Sequence, residues 1–203
     1  MGRNANGVRG GRNSTSSKSG SRGATEKGYT DKMVRNIVGI EQKYRINKDE
    51  TLHVFTSTGD MVRSIGGKGA QVRFNVSDIP QNSILTHNHP RSLGAKGIMR
   101  IGNSFSDLDI VAAVMTNAKE MRAVTPTYTF SVKRPSGGWG CSPQEAKKAY
   151  KAAERYVKRQ SSYYYSKVGM NYTSKSRNAV TFYHKVMKRV SAKFGWEYSK
   201  KNS

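Results

Sequence analysis

Two of the four histidines in this 203-residue chain stand two positions apart, in Ile84-Leu85-Thr86-His87-Asn88-His89-Pro90. Ile84 to Thr86 read as a short buried strand, and residues two apart on a strand point to one face, so both imidazoles can address one ion. A carboxylate, Asp109, returns in Ser104-Phe105-Ser106-Asp107-Leu108-Asp109-Ile110, at the start of the next predicted helix. Two histidines, one carboxylate and an open position for water make up a catalytic zinc site, whereas structural zinc sites are closed and favour cysteine. Asp109 also has a second explanation. Ser106-x-x-Asp109 has the spacing of a capping box, which satisfies free backbone N–H groups at a helix start. The two readings are compatible, because the dipole at a helix N-terminus holds a carboxylate in its ionised, metal-binding form. Taken alone, these residues allow any metal site.

The surrounding pattern predicts the elements that would position them. Residues 1–28 are Gly, Ser, Asn and Arg with almost nothing to bury, and are expected to be a disordered basic tail in which Val8-Arg9-Gly10-Gly11-Arg12 resembles an RGG segment. With Thr30 as N-cap, Met33, Val34, Ile37, Val38 and Ile40 predict a helix over 31–44. Two strands follow about a Thr58-Gly59-Asp60 turn, Leu52 and Val54 alternating with His53 and Phe55, and His53 reads as a surface or cross-strand residue. Val72, Phe74 and Val76 predict a third strand over 71–76. The sixteen residues from Pro90 to Phe105 suit a loop over a site. A helix over 106–118 then carries Leu108, Val111 and Met115 on one side. Strands over 120–124 and 128–133, a helix over 143–160, a Tyr-rich connector over 163–172 and a helix over 177–194 ended by Gly195 complete the pattern.

The expected fold class is α/β (α+β), a small mixed β-sheet flanked by helices. Its divisions are the tail 1–28, a metal-binding domain over 29–140 and a basic helical extension over 141–203. The formal net charge is +23, from 36 Lys+Arg against 13 Asp+Glu. More than half of it lies in the last segment, with 15 basic and three acidic residues in 141–203. Such an excess is an electrostatic footprint for polyanions, nucleic acid above all. The tyrosines Tyr163, Tyr164, Tyr165 and Tyr172 among lysines could stack bases. Cys141 is the only cysteine, which excludes an intramolecular disulfide and a cysteine-based zinc cluster. No apolar run approaches the ~20 residues of a membrane span, so no membrane partner and a cytoplasmic location are expected.

His87-x-His89-Pro90 followed by Ser106-x-x-Asp109 resembles the signature of the JAMM metalloproteins, also called JAB or MPN+. The phrasing is most similar to JAB-like domains of phage head-morphogenesis and mobile-element proteins. The resemblance implies a JAB/MPN-like fold over the metal-binding domain, with His87, His89 and Asp109 as ligands of Zn2+. It further implies that Ser106 helps to hold a tetrahedral oxyanion and that a glutamate activates water. Glu50 is preferred as that base, because it starts the strand that should neighbour the histidine strand; Glu41, on the preceding helix, is the alternative. The spacer between His89 and Asp109 is longer than the family usually has, which places an insertion between Arg91 and Gly102. The activity so implied is zinc-dependent hydrolysis of a peptide or isopeptide bond in a phage or mobile-element setting, with a protein or peptide substrate, in the host cytoplasm or on the virion. Two further readings stay open: a non-catalytic phage structural or DNA-binding protein that uses its charge, and a metal-dependent nuclease built on the same residues.

Overall fold

A computed structural model describes residues 28–69, 71–89, 104–165 and 172–202. The predicted tail, its RGG-like segment, most of the 90–105 loop and the side chains of the Tyr-rich connector lie outside the described residues. Six strands form one sheet in the order β2-β1-β3-β4-β5-β6. They are β1 Thr51–Phe55, β2 Met61–Gly66, β3 Ile84–Asn88, β4 Glu120–Val124, β5 Tyr128–Lys133 and β6 Glu197–Asn202. Every neighbouring pair is antiparallel except β3 and β4, which are parallel. The helices are α1 Asp31–Met33, which continues through a π-helical turn, Val34–Val38, into α2 Gly39–Tyr44, then α3 Asp107–Met115, α4 Pro143–Tyr165 and α5 Tyr172–Phe194. The chain is therefore a mixed α+β protein with a mixed sheet flanked by helices.

Strand alternation gives the sheet two faces of different chemistry. Leu52, Val54, Leu85, Met121, Ala123, Phe130 and Val132 share one face, and with Ile110, Ala113, Tyr150, Ala153, Val157, Val186 and Met187 from α3, α4 and α5 they form the main core. The stripe Ala146, Ala149, Tyr150, Ala153 and Val157 of α4 is buried throughout. Under the opposite face lie Met33, Ile37, Phe55 and Ile84. Gly59, at φ 89°, turns the chain between β1 and β2 so close to α1 that a Cβ there would stand 2.8 Å from Met33 Cγ. Asn36 Nδ2 donates to the Gly59 carbonyl at 2.8 Å and ties the helix to that turn.

The face under α2 also holds a buried ionic network. Arg122, 1 % exposed, donates through Nε and Nη2 to the two carboxylate oxygens of Glu41 at 2.6 and 2.9 Å, and through Nη1 to Glu120 at 2.9 Å. Thr86 Oγ1 donates to Glu41, and Ser131 Oγ and Tyr29 OH donate to Glu120. With their lone pairs met by donors, the cost of burying both carboxylates is offset.

Several local expectations change. Residues 71–75 form no strand and Val76–Asp78 is a 3-10 turn: Val72 and Phe74 pack on the core, and the segment stays beside β2, where Asp78 pairs with Arg63 at 2.9 Å, without joining the sheet's hydrogen bonding. Alternation reports a half-buried face, not backbone pairing. Of the two roles open to His53 the structure shows the cross-strand one and not the surface one: it is 2 % exposed, in register with Thr86 and Ser64, and its ring lies 4.4 Å from that of Tyr44. On α3, Ile110 and Ala113 face the core while Leu108 and Met115 stand 62 % and 48 % exposed. The final segment is not all helix, since Glu197–Asn202 closes the sheet against β5 after Gly195, at φ 71°, ends α5. Its lysines disguise it as solvent-exposed coil, yet they are the usual composition of an edge strand. Helix α4 extends to Tyr165 and α5 begins at Tyr172, which shortens the connector.

Two outcomes follow for stability. Arg122→Ala, which strands two buried carboxylates, is expected to cost about 3–5 kcal/mol in denaturant unfolding. Burial pushes the pKa of His53 below its ordinary value, against the smaller opposing pull of Glu41. The unfolded chain therefore binds a proton at His53 more readily than the folded one, and the stability present above the unfolded pKa is lost as pH falls below it towards the folded pKa. His53→Leu should flatten the stability profile on the acid side of pH ~6.5, read as the difference between the two unfolding curves.

Candidate metal centre

β3 supplies the histidines. His87 pairs with Leu52 on β1 and Ala123 on β4, and so points to the main-core face. His89 N donates to Val124 O at 2.9 Å, which carries the extended backbone one residue past the strand and keeps His89 on the same face. The two Nε2 atoms lie 2.9 Å apart. Because β3 and β4 are parallel, the chain must cross from one end of the sheet to the other between them. The crossover contains α3, and its N-terminus arrives beside the two rings. Asp109 Oδ1 is 3.3 Å from His87 Nε2, and Oδ2 is 3.5 Å from His89 Nε2.

Both halves of the capping box are present. Ser106 Oγ accepts from Asp109 N at 3.2 Å, and Ser106 N donates to Asp109 Oδ2 at 2.6 Å. Ser106 Oγ also donates to Oδ2 at 2.9 Å, so the cap holds the oxygen that faces His89 and leaves Oδ1, which faces His87, free of the cap. Tyr150 OH on α4 donates to Phe105 O at 2.7 Å and secures the residue before the cap.

Glu50 comes from the start of β1, and its Oε1 stands 3.9 Å from His87 Nε2. Its backbone is held on both sides, Glu50 N donating to Gly69 O at 2.7 Å and Gly67 N donating to Glu50 O at 2.8 Å. Asn88 adds a clamp that the sequence reading missed. Where the β1–β3 ladder stops at Leu52–His87, Asn88 Nδ2 donates to Asp49 O at 3.0 Å and Oδ1 accepts from Thr51 N at 2.8 Å. The side chain between the two histidines thus grips the residues on either side of Glu50. Its alternation marked it as pointing away from them, but only the register of β1 reveals the partner. Glu41, the alternative base, lies on the other face in the Arg122 network and does not join this cluster. His53 does not join it either; its two ring nitrogens have no hydrogen-bond partner.

Glu50, His87, His89 and Asp109 offer ligand atoms that all lie within 4.8 Å of one another. For a tetrahedral ion bound at about 2.0–2.1 Å the donors stand about 3.3 Å apart; the two imidazole nitrogens are 2.9 Å apart, and each lies 3.3–3.5 Å from a different oxygen of Asp109. The donor set therefore fits a small divalent ion, with Glu50 standing farther off. The two carboxyls differ electrostatically. Burial raises the pKa of Glu50, helped by Asp109 and opposed by His87 and His89. Burial also acts to raise Asp109, but the facing imidazoles outweigh it and hold that carboxyl well below the usual range. The two carboxyls are shifted in opposite directions, the division expected of a ligand and an acid–base group.

Comparison with known proteins finds no matching family model, no matching curated protein and no matching solved structure. Ser106→Ala removes the cap and the hydroxyl on Asp109. It is expected to cost about 1 kcal/mol in stability and to weaken metal binding by about 10–100-fold in a chelator-competition titration.

Proposed function

We propose that the protein is a zinc-dependent hydrolase that cleaves a peptide or isopeptide bond, with His87, His89 and Asp109 as ligands and Glu50 as general base. The observation that carries this reading is the position of Glu50: 3.9 Å from His87 Nε2, outside the closer triangle of ligand atoms, and with a raised carboxyl pKa. Zinc, when bound, supplies Lewis-acid polarisation of the scissile carbonyl and lowers the pKa of water to about 7. Glu50 takes a proton from the attacking water and returns it to the leaving amine nitrogen. Asn88 keeps Glu50 in reach by fixing the backbone on both sides of it. Ser106 keeps Asp109 oriented. Turned from Oδ2, the same hydroxyl is the donor that the JAMM resemblance assigns to the oxyanion.

The same residues carry the resemblance to JAMM metalloproteins and their JAB/MPN-like fold. A phage or mobile-element setting, in the host cytoplasm or on the virion, rests on that resemblance alone. Among the described residues no helix is long and apolar enough to cross a membrane.

Purified protein should hold about one zinc per chain and cleave members of a peptide library followed by mass spectrometry. His89→Ala should lose both metal and cleavage, while Glu50→Gln should keep the metal and lose about 10²–10⁴-fold in rate. Wild-type protein that takes up no stoichiometric zinc would overturn the reading. Metal-dependent nicking of plasmid DNA that Glu50→Gln abolishes, without peptide cleavage, would replace it with the nuclease.

A further inference from the structure

The outward side of α4 carries charge that the metal centre does not use. Lys147, Lys148, Lys151, Arg155, Lys158 and Arg159 recur every three or four residues, opposite the buried stripe. At 100° per residue they fall within about a third of the helix circumference. Two carboxylates, Glu145 and Glu154, accompany them over residues 143–160. Lys185, Lys188, Arg189 and Lys193 are exposed on α5. The Arg189 guanidinium lies 3.8 Å from the centre of the Tyr156 ring on α4, and Lys148 and Lys193 both act electrostatically on Glu145. The basic sides of the two helices thus adjoin, with the Glu145 carboxylate near Lys148 and Lys193 at their junction.

We infer that this α4–α5 surface binds the phosphate backbone of double-stranded nucleic acid. Lys151 is paired with Glu154 at 3.2 Å, but like charges three or four apart on a helix, as in Arg155/Lys158 and Arg155/Arg159, destabilise it, so a purely solvated face would mix signs. A polyanion removes that repulsion. From Lys148 to Arg159 the helix spans about 16 Å, or about five base-pair steps at 3.4 Å each. A membrane surface fits less well, because the basic side of α4 offers no large aliphatic residue to insert below the headgroups. Single strands fit less well, because the cations of this surface far outnumber its one exposed aromatic among the described residues, Tyr156, whose ring already has the Arg189 guanidinium 3.8 Å from its centre. The surface borders the metal centre's helix, with Lys151 Nζ 3.5 Å from Asp107 Oδ2, but none of its residues belongs to that centre.

The test measures duplex DNA binding by fluorescence anisotropy across a salt series, using the full chain. Lys147→Gln/Arg155→Gln/Lys158→Gln should reduce the slope of log K against log salt by about 3 and weaken binding at least about tenfold at 0.15 M salt. Lys43→Gln/Lys48→Gln/Lys68→Gln removes the same charge from exposed positions elsewhere and should change the slope by less than about 1. His89→Ala should bind DNA as the wild type does, which separates this surface from the hydrolase reading. Wild-type affinity in the α4 variant, or equal losses in the two triple variants, would overturn the inference. So would loss of DNA binding in His89→Ala, or capture by phosphatidylserine vesicles that matches duplex binding and falls equally in the α4 variant.

Discussion

The parallel pairing of β3 with β4 is the constraint on which the rest of this structure depends. An antiparallel neighbour could have been reached by a short turn. A parallel one obliges the chain to leave β3 at its C-terminal end, cross the sheet and begin β4 at the opposite end. His87 and His89 sit at the end from which the chain departs, and α3 begins beside them. Ligand sites in sheets with parallel strands form at the carboxyl ends of those strands for this reason. Asp109 reaches the histidines because it is the third residue of the crossover helix, held there by its own cap.

The sheet separates two electrostatic problems. On the α2 side, Glu41, Glu120 and Arg122 are closed off and mutually satisfied, so their charges are structural. On the other side, Glu50, His87, His89 and Asp109 form a cluster of potential donors at the edge of the core, partly open to solvent. The strand register that turns His87 to one face turns Thr86 to the other, where it serves Glu41. A one-residue slip of β3 would exchange the two sets and leave unpaired imidazole and carboxylate groups in both places. The neighbouring Asn88, pointing away from the centre, still contributes to it by fixing the strand that carries Glu50.

Helices α4 and α5 serve the core with one side and present charge with the other. Their apolar stripes pack on α3 and the sheet, and Trp196 Nε1 donates to Trp139 O, joining the β6 end to the loop before α4. The net charge of +23 is consequently compatible with a packed core, since the cations gather where no partner from the same chain has to be buried.

Much of this was legible in the residues themselves. His-x-His on an apolar strand, Ser106 spaced three residues before Asp109, and the alternation around Thr58-Gly59-Asp60 each encode a local geometry that needs only neighbouring residues to form. They located the strands, the helix cap and three members of the cluster. Tertiary structure decided what depends on partners distant in the chain. It put Glu50, rather than Glu41, beside His87, buried His53 beneath Tyr44, left 71–76 unpaired and made a strand of lysine-rich Glu197–Asn202. Sequence periodicity reports which face of an element is buried; strand register and the path of the crossover decide what that face meets, because both are set by packing and hydrogen bonding across the whole sheet.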